Sequence, residues 1–181
     1  MRRIVIGCCA LLLGCGGNER AAPGATADSS YRAAADTSAL TSLDCGTFLD
    51  EALRVVPTRA ALAEAFGEPD SMRAWTEPNR HIPDVLDSVI VVRYPGLDVV
   101  IRKPHGGLDM PDLAKVMDNR FLTRAGIGVG APEDRVVTVL GEPAERLADR
   151  LRYACGEVGA PVTFMLTGGK VRAIELDYYV D

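Results

Sequence analysis

Two short stretches of this chain carry apolar residues at helical spacing. In residues 58–66, Leu62, Ala65 and Phe66 share one face; in residues 132–140, Val136, Val137, Val139 and Leu140 do the same. Both stretches have end signals. Thr58 suits an N-cap. Pro132 suits a first helical position, with Glu133 and Asp134 complementing the positive end of the helix dipole. Gly67 and Gly141 stand where a helix closes on a left-handed residue, and Pro69 and Pro143 block continuation. After each helix the period switches from 3.6 to 2. Residues 89–94 and 97–103 read as strands around Pro95-Gly96, with 113–122 a third. Residues 151–153, 162–166 and 170–180 follow in the same order, the last two joined by Thr167-Gly168-Gly169. Along the last strand Ile174, Leu176, Tyr178 and Val180 share one face, and Arg172 breaks that parity.

The two series match in sequence as well as in period. Ala65-Phe66-Gly67-Glu68-Pro69 aligns with Val139-Leu140-Gly141-Glu142-Pro143. One helix on three strands is too small to be comfortably stable alone. Most connections are too short for helical crossovers, so the strands run antiparallel. The expected fold class is α+β: a tandem repeat of a short helical segment followed by a three-stranded antiparallel sheet, the two copies sharing one core. The first copy spans residues 44–122 and the second 123–181.

Ahead of this region the pattern changes. Met1-Arg2-Arg3 precedes an apolar run ending in Leu12-Leu13-Gly14-Cys15. The run is shorter than the ~20 residues a membrane span needs, and has signal-peptide length. Its end resembles the lipobox of bacterial lipoproteins. That resemblance implies cleavage after residue 14, with residues 1–14 a signal peptide and Cys15 acylated as the first mature residue. Three acyl chains then hold the protein on the membrane. Gly16 in place of Asp points to the outer membrane under the enterobacterial sorting rule. The alternative is an ordinary secretory signal with Cys15 removed or left free. Residues 16–43 are Gly-, Ala-, Ser-, Thr- and Asp-rich, with Tyr31, Leu40 and Leu43 the larger apolar residues. They read as a tether with a coil span of about 30 Å, with a short helix around the Ala33–Ala35 run as the alternative.

Composition narrows the functional classes. The 181 residues hold 20 Lys+Arg against 25 Asp+Glu, a net charge of −5. That balance, with no basic run after the N-terminus, argues against nucleic acid as a partner. Two histidines argue against a His-based metal site, and no metal or cofactor is expected. With Cys8 and Cys9 in the signal segment and Cys15 acylated, Cys45 and Cys155 remain. In an oxidising compartment they are expected to form a disulfide, with two free buried thiols as the alternative.

The segment running from Gly126-Ile127-Gly128-Val129-Gly130-Ala131-Pro132 through the helix to Leu140-Gly141-Glu142-Pro143 resembles the SmpA/OmlA (BamE) outer-membrane lipoproteins. Doubled, the unit resembles the β-lactamase-inhibitory-protein fold. The resemblance implies a binding or scaffold role without catalysis. The leading expectation is therefore a lipid-anchored envelope module that binds a protein in the periplasm or outer membrane, as an accessory to outer-membrane assembly or integrity. The alternatives are a periplasmic enzyme inhibitor or ligand-binding module, and a cell-wall hydrolase. Trp75 and Tyr179 are the candidate partner-binding residues, since Trp and Tyr are enriched in binding hot spots. Gly126-x-Gly128-x-x-Ala131 matches a dinucleotide fingerprint in form alone, because Pro132 and the antiparallel context contradict it. His81 and His105 read as surface histidines, and Asp109, Asp112 and Asp118 as solvated charges beside a strand.

Overall fold

Side-chain caps set where the first two helices begin. The computed structural model describes residues 44–53, 55–121 and 126–178. The expected signal segment, Cys15, the tether and Tyr179 lie outside the described residues. Helix α1 (Cys45–Glu51) starts at Asp44, whose carboxylate accepts the Thr47 N–H at 3.1 Å. The sequence pattern showed no helix there. Helix α2 (Arg59–Phe66) starts at Thr58, whose hydroxyl accepts the Ala61 N–H at 3.3 Å. Helix α3 (Glu133–Leu140) carries Glu133 and Asp134 in its first turn, and Pro132 stands one residue outside it in extended conformation. Both α2 and α3 end on glycine: Gly67 has φ 80° and ψ −158°, Gly141 φ 78° and ψ −166°. That region is essentially restricted to glycine. Ala65 is exposed, so α2 turns Leu62 and Phe66 inward without it.

The strands are β1 (Ser71–Pro78), β2 (Leu86–Tyr94), β3 (Leu97–Lys103), β4 (Met110–Val116), β5 (Glu145–Leu147), β6 (Arg150–Cys155), β7 (Ala160–Thr167) and β8 (Lys170–Asp177). Among the described residues these eight form a single antiparallel sheet in the order β1-β2-β3-β4-β8-β7-β6-β5. The expected fold is therefore corrected. The molecule is largely β, one eight-stranded sheet with three short helices, and not a repeated helix with a three-stranded sheet. The unforeseen strands are β1 and β5, the two edges. All of β5 and nearly all of β1 is exposed, so neither shows the alternation that marks a half-buried strand. The strand expected at 113–122 also shifts: β4 begins at Met110, and residues 119–121 form a 3₁₀ turn.

Two bulges explain the breaks in parity. Val100 faces Leu113 while Ile101 faces Pro111, which leaves Asp112 as the extra residue of β4. Leu166 faces Val171 while Met165 faces Ala173, which leaves Arg172 as the extra residue of β8. Val171 can thus be buried on the same side as Ile174 and Leu176, with Arg172 exposed between them.

One side of the sheet carries the core. Val92, Leu97, Val99, Val162, Phe164 and Leu176 pack with Leu62, Val136, Val139 and Phe48 from the helices. Cys45 and Cys155 form a disulfide, with Cα atoms 4.9 Å apart, joining the start of α1 to the end of β6. Phe48 of α1 stacks near Phe164 of β7, ring centres 5.7 Å apart. The first described helix is thus fixed to the last four strands.

Candidate functional site

The other side of the sheet has no helix over it among the described residues. Register carries one row across all eight strands: Ser71, Arg93, Asp98, Lys115, Glu175, Thr163, Arg152 and Glu145. Its charges alternate in sign. Arg93 lies 3.4 Å from Asp98, and Lys115 2.8 Å from Glu175. Opposite charges facing across strands stabilise the pairing modestly.

Beside this charged row the face becomes apolar. Val91, Val100 and Leu113 form the next row, and Trp75, Val89, Arg102 and Met110 the one after. Trp75 is 44% exposed and Met110 47%, while Val89 is buried beneath them. Arg102 is buried in the middle of this patch. Its Nη2 donates to Asp112 Oδ2 at 3.0 Å, and its Nη1 lies 3.6 Å from Glu77 Oε2. The Trp75 indole N–H donates to Glu77 Oε1 at 2.7 Å. A chain of contacts thus runs from β1 through β3 to β4. The bulge at Asp112 makes it possible by turning that carboxylate onto this face. An exposed tryptophan beside a guanidinium locked by two carboxylates is hot-spot chemistry: a rigid apolar anchor over a charge already desolvated and paired.

Trp75, a candidate partner-binding residue from the sequence, lies in the middle of edge strand β1. The sequence pattern marks neither Arg102 nor Glu77, and it presents Asp112 only as a solvated charge. The available signal was an arginine at the end of an otherwise apolar strand run, Leu97-Asp98-Val99-Val100-Ile101-Arg102.

Of the three aspartates read as solvated charges, Asp109 and Asp112 are corrected, each largely covered and paired with an arginine, while Asp118 stays open to solvent beside Arg120. Asp112 holds Arg102. Asp118 holds Arg120 at 3.1 Å, and this keeps its carboxyl below the usual range. Asp109 takes Arg59 in two-pronged fashion, Nε at 2.6 Å and Nη2 at 2.8 Å, and accepts the Arg59 main-chain N–H at 3.4 Å. Those bonds hold the Asp109 carboxyl below its ordinary value. His81 and His105 are exposed, and their main-chain N–H groups donate to Asn79 Oδ1 at 2.9 Å and Asp87 Oδ1 at 3.3 Å. Asp87 is buried and also accepts both bonds from Asn79 Nδ2, tying the β1–β2 loop to the β3–β4 loop. The glycine-rich segment before α3 lies along β8: Gly130 N–H donates to Val171 and Val171 N–H to Ala131.

Two hollows flank the helices. One, of about 370 Å³, lies between α2 and strands β1 and β2. Arg59 and Asp109 stand in its lining with Glu68, Tyr94, Met72 and Val92. The other, about 540 Å³, lies by α3, where Arg146 sits 3.6 Å from both Glu133 and Glu142. Beside them two phenols act alike: Tyr94 donates to the Gly67 carbonyl at 3.2 Å, and Tyr153 to the Gly141 carbonyl at 3.0 Å. Burial pushes the Tyr153 phenol up to about 12 and raises that of Tyr94. Among the described residues no three His, Cys, Asp or Glu are grouped to hold a metal ion, and no helix is long and apolar enough to cross a membrane.

No protein-family model matches the chain, and no curated protein does. Among solved structures it is similar to the uncharacterized protein yfeY from Escherichia coli, at 13% identity and a TM-score of 0.35, over 75% of this chain and 97% of that one.

Proposed function

We propose that this protein is a lipid-anchored cell-envelope module that binds another protein, as a scaffold or accessory to outer-membrane assembly or integrity. The observation that carries the binding part is the uncovered face of the sheet. Trp75 and Met110 are exposed there over buried Val89 and Arg102. Exposed apolar groups gathered on one face and bordered by charge have the anatomy of an interface, an apolar centre with a polar rim. The anchoring part rests on the lipobox-like Leu12-Leu13-Gly14-Cys15.

In-cell photo-crosslinking tests both parts. A photoreactive residue at Met110 is expected to capture an envelope protein, and the same residue at Glu64, on the exposed side of α2, is not. Trp75→Ala lowers the Met110 yield at least fivefold, and Cys15→Ala moves the protein out of the membrane fraction. Equal capture at both positions overturns the binding face. Membrane retention of the Cys15→Ala protein overturns the anchor.

A further inference from the structure

The two edges of the sheet differ in a way that the uncovered face does not explain. Strand β5 has three residues, whereas β1 has eight. Sheets commonly blunt an edge by shortness, and β1 lacks that protection. Its main-chain polarity follows from register. Pro78 faces Leu86, and the next residue, Asn79, donates its N–H to the Val85 carbonyl at 2.7 Å. In an antiparallel ladder hydrogen-bonded pairs alternate, so Ser71, Arg73, Trp75 and Glu77 bond to β2. The N–H and C=O groups of Met72, Ala74 and Thr76 therefore point outward. Pro78 also falls on the outward set, the place where a missing N–H breaks no ladder bond.

The charges around this strand are antisymmetric. Residues 70–80 contain four charged side chains: Asp70, Arg73, Glu77 and Arg80. Reflected about Trp75, Arg73 falls opposite Glu77 and Asp70 opposite Arg80, so every positive charge meets a negative one. Parity confines a two-fold antiparallel pairing of outward edges to centres on single residues. The neighbouring centres, Ala74 and Thr76, set Arg73 or Glu77 against Trp75 and pair none of these four charges with one another.

We propose that β1 is a self-recognition edge, and that its occupant is β1 of a second copy of this chain, paired antiparallel about a two-fold axis at Trp75. Ala74 then exchanges both main-chain bonds with Thr76 of the second copy, and Met72 faces Pro78, where the Met72 N–H donates to the Pro78 carbonyl and the proline, lacking an N–H, returns no bond. Trp75 faces its own counterpart in a non-hydrogen-bonded pair, the arrangement that brings side chains closest. The interface is isologous, one surface meeting itself. The charge pairs select the register, while the main-chain bonds and the tryptophan pair hold it. The two readings share Trp75, but this inference rests on the main-chain polarity and the charge pattern of β1 and not on partner binding.

Cysteine crosslinking in membranes, with the full chain and its native Cys45–Cys155 pair, tests it. Cα atoms of a non-hydrogen-bonded pair lie about 4.5 Å apart, within the reach of a disulfide. Mild oxidation should convert W75C to a covalent dimer. R73C co-produced with a differently tagged E77C should give the mixed dimer. R73C alone should give at least tenfold less, because its own counterpart lies four residues, or about 13 Å, along the strand. The mixed pair keeps Trp75, so the answer does not depend on how W75C folds. Failure of the mixed dimer, capture of an unrelated protein in its place, or R73C alone linking as well as the mixed pair overturns the proposal.

Discussion

Tyr94 and Tyr153 sit in different strands and close the same kind of gap. Each phenol donates to the carbonyl of the glycine that ends a helix, Gly67 or Gly141. Helix ends leave carbonyls unsatisfied, and a buried one without a partner is costly. Tyr153→Phe keeps the ring against Phe164 and deletes only the donor. It is expected to cost about 1 kcal/mol in urea unfolding at pH 7. The alkaline limb adds a second signature. The folded phenol titrates near 12 against 10.0 for the free group, so folding favours its neutral form. That contribution is complete below pH 10 and is lost as pH rises toward 12. Between those limits the Tyr153→Phe protein should lose stability less steeply than the wild type, and unfolding curves at pH 9.5 and 11.5 measure it. Tyr178 is raised by burial too and remains in the variant, so the slope diminishes without vanishing.

Elements are joined here by single contacts at their ends. Asp109, just ahead of β4, grips Arg59 at the start of α2. Its carboxyl is held down by those hydrogen bonds, so the stability it supplies is present above the free value of 3.8 and is lost as pH falls through the lower folded value. Arg59 is 41% exposed and water screens the pair, so Asp109→Asn should cost on the order of 1 kcal/mol at pH 7. The gap to wild type should narrow as pH falls below 3.8, which urea titrations at pH 7 and at a series of acid pH values would show. Which elements were readable follows from burial. Helices α2 and α3 and strands β2, β3, β6, β7 and β8 announce themselves because one side of each is in the core. Strand β1 has no buried side, and α1 is seven residues with Phe48 and Leu49 its buried positions, so neither leaves a periodic trace. Arg172 looked like an error in the last strand because alternation cannot register an inserted residue. The same insertion in β4 hid Asp112 as a partner for Arg102, so the patch around Trp75 was legible only as one aromatic residue.

Across the whole molecule, the Cys45–Cys155 bond closes a loop of 110 residues, taking in the three helices and strands β1 to β6. Crosslinks of that span restrict the unfolded chain strongly, and removal of such a bond typically costs about 2–5 kcal/mol. Cys45→Ala/Cys155→Ala should lower the urea midpoint accordingly. Reductant should lower the wild-type midpoint toward the variant's and leave the variant's unchanged. The sheet's asymmetry has a consequence for how far growth can go. A protein with an adhesive strand at each end of its sheet can add subunits without limit and become a fibre. Here β5, three residues long and fully exposed, is the far end. Two copies meeting at β1 make a sixteen-stranded ribbon whose outer strands are both β5, and that ribbon has nothing left to extend from. The brevity of one strand thus acts as a counting device: it fixes the stoichiometry at two.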